Sequence, residues 1–237
     1  MNARAPRAVT AICQALQEQI EHGLLSAGCK LPAERRLSEV FDTTRITLRE
    51  ALLQLEARGL IYREERRGWF IAPPRLDYWL AERSYFHAMV LAQGRVPSTQ
   101  LLTAQRVPAS ALVCDCLGLA PLSSVVRISR ARRIDGRLVL YVEHYLDPQY
   151  FPDILEQDLA QPLTEIYARR YALHYGRVRF EMAPTALYGD AATALKVSEG
   201  SPGLRVLRIN EDQAGRVIDC DVEHWRHDAI RLRVEVP

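Results

Sequence analysis

Arg45 and Arg49 stand four residues apart, with Thr44 and Thr47 beside them. On a helix that spacing puts both arginines on one face and both threonines in the first turn. A guanidinium so placed can meet guanine O6 and N7 through two parallel N–H groups, worth roughly 1–3 kcal/mol of discrimination between bases. The threonine hydroxyls and the exposed N–H groups of a helix start suit phosphate oxygens. Arg35, in the preceding helical stretch, is placed to touch the flanking backbone or a base. Arg66 and Arg67, followed by Gly68 for a tight turn, suit the tip of a hairpin entering the adjacent minor groove. The alternative is a set of solvated arginines on a small helical domain. Five arginines around one helix-turn-helix favour DNA.

A second pair, Arg130 and Arg132, carries a different chemistry. In Val126-Arg-Ile-Ser-Arg130-Ala-Arg132 alternate residues share one face of a strand. Val126 and Ile128 make that face partly buried, and two guanidiniums there require carboxylates or a bound anion. Paired arginines suit the tetrahedral oxygens of phosphate or phosphonate; a structural salt-bridge network or an exposed edge is the alternative. Asp219, Asp221, Glu223 and Trp225 likewise share one face of a later strand. Carboxylates with an aromatic wall suit an ammonium ligand, although a solvated acidic face is the plainer reading for Asp221.

The elements that must hold these residues follow from periodicity. Ala8, Ile12, Ala15, Leu16, Ile20 and Leu24 predict an amphipathic helix over 8–25. Pro32-Ala-Glu-Arg opens a second helix with Leu37, Val40 and Phe41 as its apolar face. Asp42-Thr-Thr breaks it and caps a third, 45–58, whose Leu48, Ala51, Leu52 and Leu55 face the core. Gly59 stops that helix, and strands at 60–63 and 69–72 make a basic wing. Pro73-Pro74 marks a boundary. Beyond it the chain predicts helix at 86–94, extended chain at 101–107, and a hairpin of 125–133 with 137–146 around Asp135-Gly136. A helix at 163–171, a strand at 178–185, a short helix at 189–195, a hairpin of 203–210 with 217–226, and a strand at 230–236 follow. This is α+β organisation: a winged helix-turn-helix over 1–73, a linker over 74–84, and an antiparallel-sheet domain over 85–237.

The 237 residues suffice for two cores. Net charge is only +2, so the placement of the arginines matters more than their number. No apolar run approaches a membrane span, and MNARAPRAV lacks a signal-peptide core, so a cytoplasmic protein without membrane contact is expected. The five cysteines are scattered; Cys114-Asp-Cys116 is too tight for a zinc knuckle, which leaves buried thiols and no metal site or cofactor. No nucleotide loop, nucleophile elbow or HExxH motif appears, and the histidines lack triad spacing. An enzyme carrying a DNA-targeting module, and a second domain that only dimerises, remain as competing readings.

Leu31-Pro-Ala-Glu-Arg35, Thr44-Arg45-Ile-Thr-Leu-Arg49-Glu-Ala and Leu55-Glu-Ala-Arg-Gly59-Leu-Ile resemble the winged-helix signature of GntR-family bacterial transcription regulators. Gln93-Gly94-Arg-Val-Pro97, Ile128-Ser-Arg130-Ala-Arg132, Tyr141-Val-Glu143, Leu163-Thr-Glu-Ile-Tyr167, Ala183-Pro-Thr-Ala186 and Trp225-Arg-His-Asp228 resemble the UTRA effector domain of the HutC-like branch, which has the chorismate-lyase fold. Thr43-Thr-Arg-Ile-Thr, Arg66-Arg-Gly-Trp-Phe70 and Glu223-His-Trp-Arg-His-Asp resemble regulators of 2-aminoethylphosphonate utilisation. The resemblance implies no catalysis, a homodimer on an inverted-repeat DNA operator, and a small anionic effector, either a phosphonate or a phosphorylated sugar. It also implies effector contacts at Phe86, His87, Arg130, Arg132, Glu143, Arg177, Asp219 and Trp225. This chain departs from the family in having Asp219 for Glu and Trp225 for Tyr.

Overall fold

The computed structural model describes residues 4–82 and 85–235, in two compact units that divide between Arg75 and Leu76 apart from a short excursion at 196–198. In the first, α1 (Arg4–Glu21), α2 (Glu34–Val40) and α3 (Arg45–Ala57) precede the hairpin of β1 (Ile61–Glu64) and β2 (Gly68–Ile71). Val9, Ile12 and Leu16 of α1 meet Leu48, Ala51, Leu52 and Leu55 of α3 in one core, closed by Leu37, Trp69 and Ile71. Fixing α3 through four fully buried positions leaves its other face to solvent, where Ile46 is 82% exposed. Two expectations fail here. The first helix stops at Glu21, and Leu24 lies in solvent while Leu25 packs on the core. Val40 is also exposed, because α2 is only seven residues long and Leu37 alone of it is buried.

The segment expected as a linker is corrected in part. Residues 76–79 form β3 (Leu76–Trp79), paired in parallel with β10 (Ile230–Arg233), and Leu76 and Tyr78 are buried. Residues 83 and 84 lie outside the described residues. The remaining elements of the second unit are α4 (Phe86–Ala92), β4 (Pro97–Pro108), α5 (Ala111–Leu117), β5 (Ser124–Ile134), β6 (Arg137–Leu146), α6 (Leu163–Tyr171), β7 (Tyr175–Leu187), α7 (Gly189–Leu195), β8 (Ser201–Asp212) and β9 (Val217–Arg226). Six strands form one antiparallel sheet in the order β4-β5-β6-β9-β8-β7. Asp135 and Gly136 both have positive φ, 51° and 80°, as the two-residue turn between β5 and β6 demands.

Register decides what each face carries. Ile128 stands opposite His144, Arg130 opposite Val142, and Arg132 opposite Leu140. Leu140, Val142, His144 and Leu146 in turn stand opposite Trp225, Glu223, Asp221 and Asp219. Directly opposed residues project from the same face, so one face gathers all of these and is covered by β3, α4 and α6. The other face, with Cys220 and Val222 of β9, is covered by α5.

Candidate DNA interface and effector cavity

The start of α3 is capped by Thr44, whose Oγ1 accepts the Thr47 N–H at 3.2 Å and lies 3.0 Å from Thr47 Oγ1. That cap holds Arg45 and Arg49 on successive turns of an exposed face. Glu34 of α2 joins the parts. Its Oε1 accepts the Trp69 indole N–H at 2.9 Å and its Oε2 stands 3.7 Å from the Arg49 guanidinium. One carboxylate therefore aligns α2, α3 and the wing strand, a role that no spacing in the sequence announced. Arg35 leans along its own helix to Glu39 at 3.8 Å. At the wing tip Arg66 and Gly68 have φ of 60° and 98°, and Arg66 lies 3.9 Å from Glu65. Arg67 pairs with Glu64, its guanidinium 5.1 Å from the Phe70 ring centroid. Every sequence-predicted residue of this surface, Arg35, Thr44, Arg45, Thr47, Arg49, Arg66, Arg67 and Gly68, thus lies on α2, on the first turns of α3 or at the wing tip.

In the second unit Phe86, His87, Arg130 and Arg132 line a cavity of about 40 Å³, together with Thr99, His144, Arg208 and Asp221. Arg130 is buried. Its Nε and one terminal nitrogen lie 3.2 and 2.8 Å from His144 Nε2, and the other donates to the Gln161 carbonyl at 3.1 Å. His144 Nδ1 lies 2.5 Å from Asp221 Oδ1. Two guanidinium N–H groups aimed at Nε2 make it an acceptor, so Nδ1 carries the proton and His144 is neutral. Burial pushes its pKa down to about 4, with Asp221 opposing and Arg130 reinforcing the shift. Burial would raise Asp221, but His144, Arg208 and Arg132 outweigh it and hold this carboxyl well below its usual range.

Arg132 differs from Arg130, and Arg208 shares the difference, since its Nε is also buried without a partner among the described residues. The Arg132 guanidinium stands 4.8 Å from the Phe86 ring centroid, and its Nε is buried with no hydrogen-bond partner among the described residues. Burial first, and then Arg132 and Arg130, lower the pKa of His87, whose Nε2 is 3.1 Å from Thr99 Oγ1. Burial, then the Asp221 charge, raises Asp219 to about 7 although two tyrosine hydroxyls donate to it. Arg130, Arg132 and Arg208 therefore stand against Asp221, held ionised, and the Glu223 side chain, while Asp219 is raised towards neutrality. The surplus positive charge, with an unsatisfied donor on Arg132, is what an anion would complete.

The other expected contacts sit elsewhere. Glu143 projects from the opposite face, 3.5 Å from Arg127, because it pairs with Ser129 and not with an arginine. Asp219 lies beneath the cavity, accepting from Tyr167 at 3.1 Å and Tyr175 at 2.6 Å. Trp225 does not line the cavity but lies in the core behind Phe86; its indole donates to Glu223 at 2.7 Å and its ring contacts Tyr78 and Phe86. Arg177 lines a separate cavity of about 470 Å³ that shares Tyr85, Tyr175 and Arg208 with the smaller one. Asp221, read as solvated, is buried and lines the cavity. Sequence reasoning missed Thr99, His144 and Arg208, all of which lie on the arginine face by strand register.

Residues 8–71 match the family of bacterial regulatory proteins called gntR, and residues 92–231 match the UTRA domain. The chain is 30% identical over 224 residues to an uncharacterized HTH-type transcriptional regulator, YihL of Escherichia coli K12, covering 93% of this chain and 94% of that one. It is 25% identical to the HTH-type transcriptional repressor NagR of Bacillus subtilis, over 92% of this chain and 89% of that one. The crystal structure of PhnF from Mycobacterium smegmatis shares the fold, with a TM-score of 0.65 at 21% identity over 95% of this chain and 99% of that one. The chain belongs to the GntR family, in the HutC-like branch that carries a UTRA domain, and is a transcription regulator.

Proposed function

We propose that this regulator leaves or engages its operator in response to a small anionic effector whose charged group is held by Arg130 and Arg132. The single observation that carries this is the buried, unpartnered Nε of Arg132 beside Arg130, in a cavity with surplus positive charge. In the free protein that cavity holds little more than one water's share of liquid, about 30 Å³. An effector therefore requires a wall to move, and Tyr85 and Tyr175, common to the small cavity and to neighbours of about 470 and 260 Å³, are the residues in the way. Binding that favours the widened form is the differential affinity a switch requires.

The first unit reads DNA through Arg45 and Arg49, with Thr44, Thr47, Arg35, Arg66, Arg67 and Gly68 on the backbone or the minor groove. The second binds effector and pairs two copies, so that an inverted repeat is read by two heads. Sequence resemblance favours 2-aminoethylphosphonate, whose ammonium would face Asp221 or Glu223. The 470 Å³ cavity, roomier than a two-carbon phosphonate needs, favours a phosphorylated sugar as the second reading. Calorimetric titration with 2-aminoethylphosphonate, glucosamine-6-phosphate and inorganic phosphate separates them. Arg130→Ala should abolish whichever response is found and leave operator binding intact; release of that variant by the same effector would sink the assignment.

A further inference from the structure

The chain reaches Glu34 along a short backbone tie to the wing. Gly28 N–H donates to the Ile71 carbonyl at 2.9 Å, Ile71 N–H to the Cys29 carbonyl at 2.9 Å, and Leu31 N–H to the Trp69 carbonyl at 2.8 Å. Residues 28–31 thus lie along β2, and Glu34 opens α2 three residues later. Trp69 is buried in the core of this unit. Its backbone holds Leu31 and its indole holds the Glu34 carboxylate at 2.9 Å, so that carboxylate is fixed from both ends. The second carboxylate oxygen stands 3.7 Å from the Arg49 guanidinium; the Arg49 side chain keeps 56% of its surface in solvent, against 26% for Glu34. A favourable place at a helix start accounts for an acid at this position. It accounts for neither of the two contacts.

We propose that Glu34 is a positioning residue for base reading: it holds the Arg49 guanidinium ready for a guanine and keeps it from closing on a phosphate. An exposed arginine at a DNA surface is drawn to the nearest phosphate oxygens, which carry full charge and no sequence information. A carboxylate 3.7 Å away offsets part of that pull, because it repels the phosphate and occupies one side of the guanidinium. Guanine O6 and N7 belong to an uncharged base and are less affected. Pinning the side chain also removes rotamer freedom that it would otherwise lose on binding. The same carboxylate lowers affinity for DNA as a whole. Selectivity and affinity are therefore opposed at this residue, and removing its charge moves them in opposite directions. The proposal rests on the reading of Arg49 as a base contact.

The test uses the full chain and two duplexes, one selected by the wild type from a random library and one of unrelated sequence. Arg49→Ala marks the base pair whose preference it erases, and the discrimination ratio is measured there by fluorescence anisotropy at fixed salt. Glu34→Gln keeps an acceptor for the Trp69 indole and removes the charge. It should bind the unrelated duplex roughly two- to fivefold more tightly and lose roughly two- to tenfold of the discrimination ratio. Glu34→Asp keeps the charge on a stem one carbon shorter. It should lose discrimination without the gain on unrelated DNA. In an Arg49→Ala background, Glu34→Gln should cost no further discrimination at that base pair.

A merely structural Glu34 would weaken both duplexes alike and lower the melting temperature. That result, an unchanged discrimination ratio in Glu34→Gln, or no gain on the unrelated duplex would each overturn the proposal. If Arg49→Ala erases no base preference, the reading of Arg49 itself fails and the proposal falls with it; if it does erase one, failure of the Glu34 variants falls on the proposal alone.

Discussion

Replacing His144 by Gln tests the protonation states of the buried network. In the folded protein the His144 pKa is held down at about 4, against 6.5 in the unfolded chain. Below pH 6.5 the unfolded state takes up a proton that the folded state refuses, so stability is lost as pH falls from 6.5 towards 4. Between pH 7 and pH 5 the loss is about 2 kcal/mol, at 1.36 kcal/mol per pH unit. Asp219 acts in the opposite direction. Its folded pKa of about 7 lies above the ordinary 3.8, so its contribution is complete at low pH and declines as pH rises towards 7. Over the same interval that is worth on the order of 2 to 3 kcal/mol. The wild type should therefore be nearly flat from pH 5 to pH 7 as far as these two groups decide it. His144→Gln removes one slope and should be about 2 kcal/mol more stable at pH 5 than at pH 7, relative to wild type; Asp219→Asn should tilt the other way. Urea unfolding at both pH values, followed by the emission of Trp79 and Trp225 in the second unit, measures the difference. Surface groups titrate alike in all three proteins and cancel. Parallel profiles for wild type and both variants would refute the neutral His144 and the raised Asp219.

Arg49→Ala should cost about 1–3 kcal/mol of discrimination at the base pair it reads, while Thr44→Val weakens operator and random DNA alike; competition gel shifts distinguish the two patterns. Arg132→Met keeps similar volume and removes a guanidinium whose Nε lacks a partner. Thermal stability should hold or rise while any change in operator binding on adding effector is lost. A marked fall in melting temperature would show that Arg132 is structurally paired after all. Gly203→Ala would place a Cβ 2.7 Å from Leu187 Cδ2 and 3.0 Å from the Trp225 carbonyl oxygen. Overpacking of about 1–3 kcal/mol is expected in denaturant titration, relieved in part by Leu187→Ala.

Legibility in the sequence followed the range of the forces involved. The α6 and α7 helices and the β5–β6 hairpin are local objects, announced by Leu163, Gly189 and Asp135-Gly136, and they lie where periodicity put them. The α5 helix is absent from the sequence reading, although Ser110 caps one end and Gly118, at φ 67°, closes the other. The β3 strand was hidden behind two prolines, and its partner lies far along the chain at 230–233, so no short-range signal marks it. Within the site, alternation along one strand sufficed for Arg130 and Arg132. Parity between strands did not follow from alternation. Glu143 went to the wrong face and His144 was missed because the pairing of Ser129 with Glu143 exists only in the folded sheet. Asp221 was misjudged because a carboxylate among charged neighbours looks solvated until His144 and Arg208 are known to stand against it.

The parallel pairing of residues 76–79 with 230–233 also sets an order of events during synthesis. The core of the DNA-reading head is complete once residue 71 has left the ribosome, since its buried residues lie between Val9 and Ile71. The effector unit cannot finish its sheet and its strand pair until residue 233 emerges. At roughly 5–20 residues per second, that delay is on the order of ten seconds or more. For that interval each nascent chain carries a folded head that can meet DNA, with no finished cavity to govern it.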